Sequence, residues 1–262
     1  MTRISWPTPV LLWSAPSLRS SGSRISWKPR SHLASGSGEL IHRVKVLTAV
    51  HAMTAGANHI DHLDMLRARA SEAVLGHKVS APSTIGSFLR AFTFGNLRQL
   101  DSVLDTALGR AWAMGVGPGA SQLIIGIDST ICEVSGIKKQ GGNFGYTKCL
   151  AYHPILGVRA DTGEMLHGRL RKGSANIARG VRPFMSDTIA RVRRAGATGE
   201  IVMRFDSGYW SNETISLLEK LDVRYSMAIR AGTKTTKEVI EEIAEDAWTV
   251  IPYTRGGEAA VG

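Results

Sequence analysis

Leu123-Ile124-Ile125-Gly126-Ile127-Asp128 is the stretch on which the reading of this chain turns. A short, continuous apolar run bounded by turn formers is a buried strand, and this one ends on a carboxylate followed by Ser129-Thr130. A second stretch, Ile201-Val202-Met203-Arg204-Phe205-Asp206, repeats the pattern and passes into Ser207-Gly208-Tyr209. Two strand ends of this kind each present hard oxygen donors, which suit Mg²⁺ and leave positions for water and phosphate. Either aspartate alone has an ordinary reading as a turn former or helix cap. What matters is whether the fold brings them together.

The elements around the two aspartates supply that fold. The patterning predicts further strands over 150–160 and 165–170, joined by the turn Ala160-Asp161-Thr162-Gly163-Glu164. A helix follows over 183–194, with Phe184, Met185, Ile189 and Val192 inward and Gly196 as its stop. Beyond Asp206 the spacing predicts a helix starting at Ser211 or Asn212, with Ile215, Leu218 and Leu221 on one face. A strand over 224–230 comes next, then a helix opened by the capping box Thr235-x-x-Glu238. The order β-β-β-α-β-α-β is that of the α/β, ribonuclease-H-like fold with its mixed sheet. In that topology the first strand lies beside the strand that follows the first helix, and Asp128 and Asp206 occupy those two strand ends.

Upstream, residues 39–115 read as a small all-α region. Leu40, Val44, Leu47 and His51 share one helix face, and Asp61 or Asp64 can start a second helix that Gly76 stops. A third helix opens at Ala81-Pro82 and aligns Ile85, Phe88, Leu89 and Phe92. A fourth, after Gly95-Asn96, aligns Leu97, Leu100, Leu104, Leu108, Ala111 and Met114. The third helix can serve as the recognition helix of a helix-turn-helix, with Ser83, Ser87 and Arg90 toward phosphates, or simply as part of a helical core. His51, His59, His62 and His77 are joined by no cysteine, and His59-x-x-His62 reads as a surface pair. Gly115-Val116-Gly117-Pro118-Gly119 marks the expected boundary with a core spanning 121–262. Residues 1–38, rich in Ser, Pro, Arg and Gly, show neither helical nor strand period and read as a disordered basic tail or a mis-started frame.

Charge narrows the partner class. The chain carries a formal net charge of +10 and a pI near 9.9, a balance that favours a polyanion such as nucleic acid. Lys139, Arg171, Lys172, Asn176 and Arg179 lie between the predicted strand ends, where they can meet backbone phosphates. Cys132 and Cys149 have no disulfide or zinc spacing, which fits a reducing cytoplasm. No apolar run approaches the roughly 20 residues of a membrane helix.

Linked motifs then give a resemblance. Ala73-Val74-Leu75-Gly76-His77, Ala81-Pro82-Ser83-Thr84, Ile127-Asp128-Ser129-Thr130, Lys139-Gln140-Gly141, Phe144-Gly145-Tyr146-Thr147, Tyr152-His153-Pro154, Arg171-x-Gly173-x-Ala175-Asn176-x-Ala178-Arg179-Gly180 and Asp206-Ser207-Gly208-Tyr209 occur in one order. Together they resemble the DDE-type transposases of bacterial insertion sequences, transposase DDE domain group one. The resemblance implies hydrolysis of phosphodiesters at transposon ends and strand transfer into target DNA. It implies two Mg²⁺ or Mn²⁺ ions, with Asp128 bridging both and Asp206 holding one. It further implies terminal inverted repeats and target DNA as partners, a homodimer on DNA, and a place at the nucleoid.

The same resemblance calls for a third acid, a glutamate on a helix well downstream of Asp206. Glu258, in Tyr253-x-Arg255-x-x-Glu258, is set more tightly than the related signature and sits beside Gly256-Gly257. Glu241, Glu242 and Glu245 read as a solvated helix face. The expectation is therefore a transposase truncated at its C-terminal side. The alternative is a non-catalytic DNA-binding remnant, acting at most as a competitor of intact transposase.

Overall fold

The computed structural model describes residues 37–67, 71–136, 138–229, 234–253 and 257–261. Nearly all of the expected 1–38 tail lies outside the described residues. Packing divides the chain between Thr106 and Ala107, inside a helix, while the glycine-rich segment 115–119 belongs to the second unit.

The first unit is helical: α1 (Ser37–Thr54), a 3₁₀ turn at Ile60–Arg67, α2 (Ser71–Leu75), α3 (Pro82–Arg90) and the start of α4 (Phe94–Ala111). Pro82 opens α3 at a position whose N–H would be unpaired anyway, after Ala81 in extended conformation. The α-helix expected after Asp61 is wound as 3₁₀ instead. Its Asp64–Arg67 ion pair at 2.8 Å spans i,i+3, the spacing that a three-residue turn eclipses. Ala52, Leu63 and Ile85 form the buried cluster of this unit. The stripe expected on α3 is half realised, since Ile85 and Phe88 are buried but Leu89 is exposed. On α4, Leu97 and Leu104 are exposed while Leu108 and Ala111 are buried. Met114 falls off the stripe because α4 ends in a π-type turn, Trp112–Val116, in which Gly115 takes a φ of 95°.

The second unit is built on a five-stranded sheet ordered β6-β5-β1-β7-β8. Its strands are β1 (Leu123–Ser129), β5 (Ile155–Arg159), β6 (Met165–Arg169), β7 (Ile201–Phe205) and β8 (Arg224–Met227). β5 runs antiparallel to β1 and to β6. β7 runs parallel to β1 and to β8. This is the ribonuclease-H-like mixed sheet, preceded by the small all-α region. β1 is its central strand, which is why Leu123, Ile125 and Ile127 are all buried.

Helix α5 (Val181–Ala195) buries Val181, Phe184, Met185, Ile189 and Val192. Together with Leu123, Ile125, Met203 and Leu218 these side chains belong to one continuous core. Gly196, at φ 111°, ends α5 in the left-handed conformation, and its amide meets the carbonyls of Val192 and Arg193. Helix α6 (Asn212–Lys220) starts at Ser211, whose hydroxyl accepts from the amide of Thr214. At the sheet edge remote from the aspartates, the Gln122 amide and the Arg224 guanidinium both donate to Glu200. These bonds hold the Glu200 carboxyl below its ordinary range.

One predicted strand is two. The run 150–160 breaks at His153-Pro154 into β4 (Leu150–Tyr152) and β5, because proline has no N–H to continue a ladder. β4 then joins β2 (Cys132–Glu133) and β3 (Asn143–Phe144) in a separate antiparallel sheet ordered β2-β4-β3. The capping box is also displaced: helix α7 (Lys234–Glu241) already contains Thr235. Strands β9 (Thr249–Tyr253) and β10 (Gly257–Val261) form a hairpin, so Glu258 lies on a strand rather than a helix, opposite Pro252. Among the described residues no helix is long and apolar enough to cross a membrane.

Candidate active site

The parallel register of β1 and β7 pairs Ile127 with Phe205. The next residue on each chain segment is an aspartate, so Asp128 and Asp206 stand side by side at the carboxyl edge of the sheet. Both are exposed, although the residues just before them are buried. Each is anchored by a local amide: Ser129 N–H donates to Asp128 Oδ1 at 2.7 Å, and Gly208 N–H donates to Asp206 Oδ1. Gly208 is closely approached, since a Cβ there would lie 3.0 Å from both Asp206 Oδ1 and the Ile177 side chain.

Under the acids lies a polar layer that the sequence did not announce. His153 is buried; its Nδ1 meets the Ala175 carbonyl at 2.9 Å and its Nε2 meets Ser129 Oγ at 3.0 Å. A carbonyl only accepts, so Nδ1 carries the proton and, in the neutral ring, Nε2 accepts from the Ser129 hydroxyl. Tyr209, on the turn that Asp206 caps, is fully buried. Burial is the main force raising its phenol above the ordinary range, and the nearby Asp128 and Asp206 charges add to it. Ser129 and Arg171 act in the opposite sense.

Arg171 is engaged by the backbone of the loop it belongs to. Its Nε donates to the His153 carbonyl at 2.8 Å. Its Nη1 donates to the carbonyls of Asn176, Ile177 and Arg179 at 3.2, 2.8 and 2.9 Å. The guanidinium thus ties the loop 171–180 to the break between β4 and β5. Burial lowers its pKa and the Tyr209 phenol opposes that. Nη2 is buried and, among the described residues, without a hydrogen-bond partner.

The loop lies tight against the small sheet. A Cβ on Gly173 would collide with the backbone carbonyl oxygens of Ala151 and Asn143. Asn176 closes an Asx turn on the Ala178 amide at 2.9 Å, while Lys172, Asn176 and Arg179 are exposed along the loop. Beside the loop opens a cavity of about 430 Å³ bordered by Tyr146, His153, Ser174, Asn176, Ile177 and Gly208.

The remaining candidates separate. Lys139 is exposed on the turn between β2 and β3. Arg90 belongs to the helical unit, exposed on α3 with Nη2 3.3 Å from Ser87 Oγ. Ser83 and Ser87 share its exposure. His51 and His77 stack, with ring nitrogens 3.0 Å apart. Sequence reasoning named both acids but missed the roles of Ser129, His153 and Tyr209. The one available signal was that all three fall inside the linked motifs.

The sequence matches the family described as Transposase DDE domain group 1 over residues 37–256. No curated protein matches it. Among solved structures, the piggyBac transposase synaptic complex with hairpin DNA is similar at 15% identity and a TM-score of 0.37, over 87% of this chain and 51% of that one. The Drosophila P element transposase strand transfer complex is similar at 8% identity and a TM-score of 0.35, over 80% and 39%. The Mos1 transposase paired-end complex with left transposon end gives 11% identity and a TM-score of 0.28, over 83% and 66%. The chain spans about half the length of the piggyBac protein and less of the P element protein. Similarities this distant add nothing to the assignment, which rests on the family match across most of the sequence. On that ground the chain belongs to the transposase DDE domain group 1 family.

Proposed function

We propose that this chain is a DNA transposase of an insertion sequence, cutting at the element's terminal inverted repeats and joining the freed 3′ ends to target DNA. The observation that carries the reading is the pair Asp128 and Asp206, set side by side by the β1–β7 register in a chain of this family. The donor set fits divalent metal: two exposed, hard carboxylates, each anchored through its Oδ1 by a neighbouring amide. Asp128 and Asp206 would hold Mg²⁺ or Mn²⁺, Asp128 serving two ions. Metal bound there would activate the attacking hydroxyl and stabilise the leaving oxygen. The protein's own part is to fix the carboxylates on rigid strand ends and to offer Lys139, Lys172, Asn176 and Arg179 to backbone phosphates. Arg90 would add a phosphate contact from the helical unit. Two copies acting on the two ends of the element, as a homodimer on nucleoid DNA in the cytoplasm, complete the proposal.

A second reading has one observation in its favour. Among the described residues no third His, Cys, Asp or Glu joins the pair as a metal-binding group. In that reading the chain binds transposon ends without cutting them and competes with intact transposase. The two are separated by incubating the full chain with DNA carrying the element's own ends, with Mg²⁺, Mn²⁺ or EDTA. Nicking at a defined phosphodiester that requires metal, Asp128 and Asp206 supports the enzyme. Retained binding with no nicking supports the competitor.

A further inference from the structure

The cavity beside the loop 171–180 is bordered by Gly208, whose amide anchors Asp206. Its volume of about 430 Å³ falls within the range of about 300–1,000 Å³ usual for small-ligand sites. That is room for one nucleotide and far too little for a duplex. Tyr146 borders the cavity from a rigid turn. The Lys148 amide donates to the Gly145 carbonyl at 3.0 Å, which puts Tyr146 at the first corner of a β-turn. A Cβ on Gly145 would lie 2.6 Å from the Gly173 carbonyl oxygen, so the turn is held against the loop. The Tyr146 ring is 73% exposed and meets buried His153 at a tilt, 6.1 Å between centroids, so its face is open. Asn176 adds a polar group of fixed sense. Its Oδ1 accepts from the Ala178 amide, which leaves the Nδ2 protons without a partner among the described residues. Ile177 supplies an apolar wall, and Lys148 and Lys172 are exposed on the turn and the loop. An open aromatic face, an amide donor and nearby cations are what hold a single-stranded base and its phosphates.

We propose that this cavity receives one unstacked base of the bound DNA, stacked on Tyr146 and given a hydrogen bond by Asn176. The proposal rests on the reading of the chain as a DNA-binding protein. A paired base cannot enter so small a space, so the base must leave its partner, which costs least where the strand is already open. Stacking accepts any base, because every base has a π-face. The amide donor adds a preference for bases that present an acceptor. Since Gly208 belongs both to the cavity and to the anchor of Asp206, a base seated there fixes its own backbone beside that turn.

The test is binding of short oligonucleotides to the full chain in EDTA, where nothing is cut, followed by fluorescence anisotropy. One strand is abasic throughout, and a second carries a single central adenine. The wild type should bind the adenine strand about 10- to 100-fold more tightly. Tyr146→Ala should reduce that difference to about twofold or less, while Tyr146→Phe, which keeps the ring, should preserve it. Phe144→Ala is the control: Phe144 is an exposed aromatic two residues away that does not border the cavity, and its loss should leave the difference as it is. Asn176→Asp keeps the acceptor for the Ala178 amide but removes the donor, and should shrink the difference roughly 2- to 10-fold. Equal binding of the two strands by the wild type overturns the proposal. So does a difference that survives Tyr146→Ala, or one lost equally in Phe144→Ala. A difference unchanged in Asn176→Asp overturns the donor role of that residue. An abasic strand that binds with no gain from adenine sinks the base site and leaves DNA binding standing, whereas a chain that binds neither strand loses both.

Discussion

The two units of this chain bury apolar surface very differently. The α/β unit gathers a continuous core from Trp112 and Leu123 through Phe184 and Met203 to Val223. The helical unit gathers Ala52, Leu63 and Ile85, while Met53, Val74, Phe94 and Leu97 stay exposed. A site that must hold two carboxylates at a fixed separation is found on the first kind of scaffold, since a close-packed interior transmits little positional slack. Helices with a thin core tolerate adjustment, which suits a surface that must conform to a partner.

The sharpest way to break this comparison is at the acids. Asp128→Ala or Asp206→Ala should lower metal-dependent nicking of transposon-end DNA by about 10³-fold or more, on the order of 4 kcal/mol in barrier height. The far-UV circular dichroism should not change, because both side chains are exposed. Next comes the core itself. Met203→Ala should destabilise the α/β unit by about 2–5 kcal/mol in denaturant unfolding. Gly173→Ala should cost about 1–3 kcal/mol by forcing the loop off the small sheet.

The helical unit should respond weakly. Phe94→Ser, at a side chain 77% exposed, should stay within about 0.5 kcal/mol. A larger loss would mean that this face is covered in solution. The smallest effect is the pH response of His51, whose pKa burial and the neighbouring His77 hold below the ordinary 6.5. A base with a depressed folded-state pKa takes up protons more readily when unfolded. Its contribution is therefore complete above about pH 6.5 and is lost as the pH falls below that value. Melting between pH 7.5 and 5.5 should show the helical transition falling by roughly 4 °C or less, and His51→Gln should flatten the slope.

The course of the main sheet was legible because its central strand, buried at Leu123, Ile125 and Ile127 and half-buried at Ile124 and Gly126, reads as an unbroken apolar run. That run also ends on the aspartate proposed as a metal ligand. The break at His153-Pro154 was legible in principle from the proline alone, but apolar residues on both sides masked it. Two-residue strands such as β2 and β3 carry no period to detect. On α3 and α4 the spacing marked a stripe at Leu89, Leu97 and Leu104, yet periodicity does not say what will cover it. The acid pair could be found because its chemistry is local to two strand ends. Ser129, His153, Tyr209 and the inner bonds of Arg171 could not, because a buried polar group is defined by partners far away in sequence.

The parallel register of β1 and β7 also sets a schedule. Asp128 leaves the ribosome 78 residues before Asp206, and between them a hairpin, the small sheet and α5 must be made. Pairing distant parallel strands is among the slowest events in folding, because loop-closure entropy is lost before contacts compensate for it. On the proposed reading of the two aspartates as metal ligands, the pair would be completed only in a late step, when the sheet closes and the second carboxylate arrives.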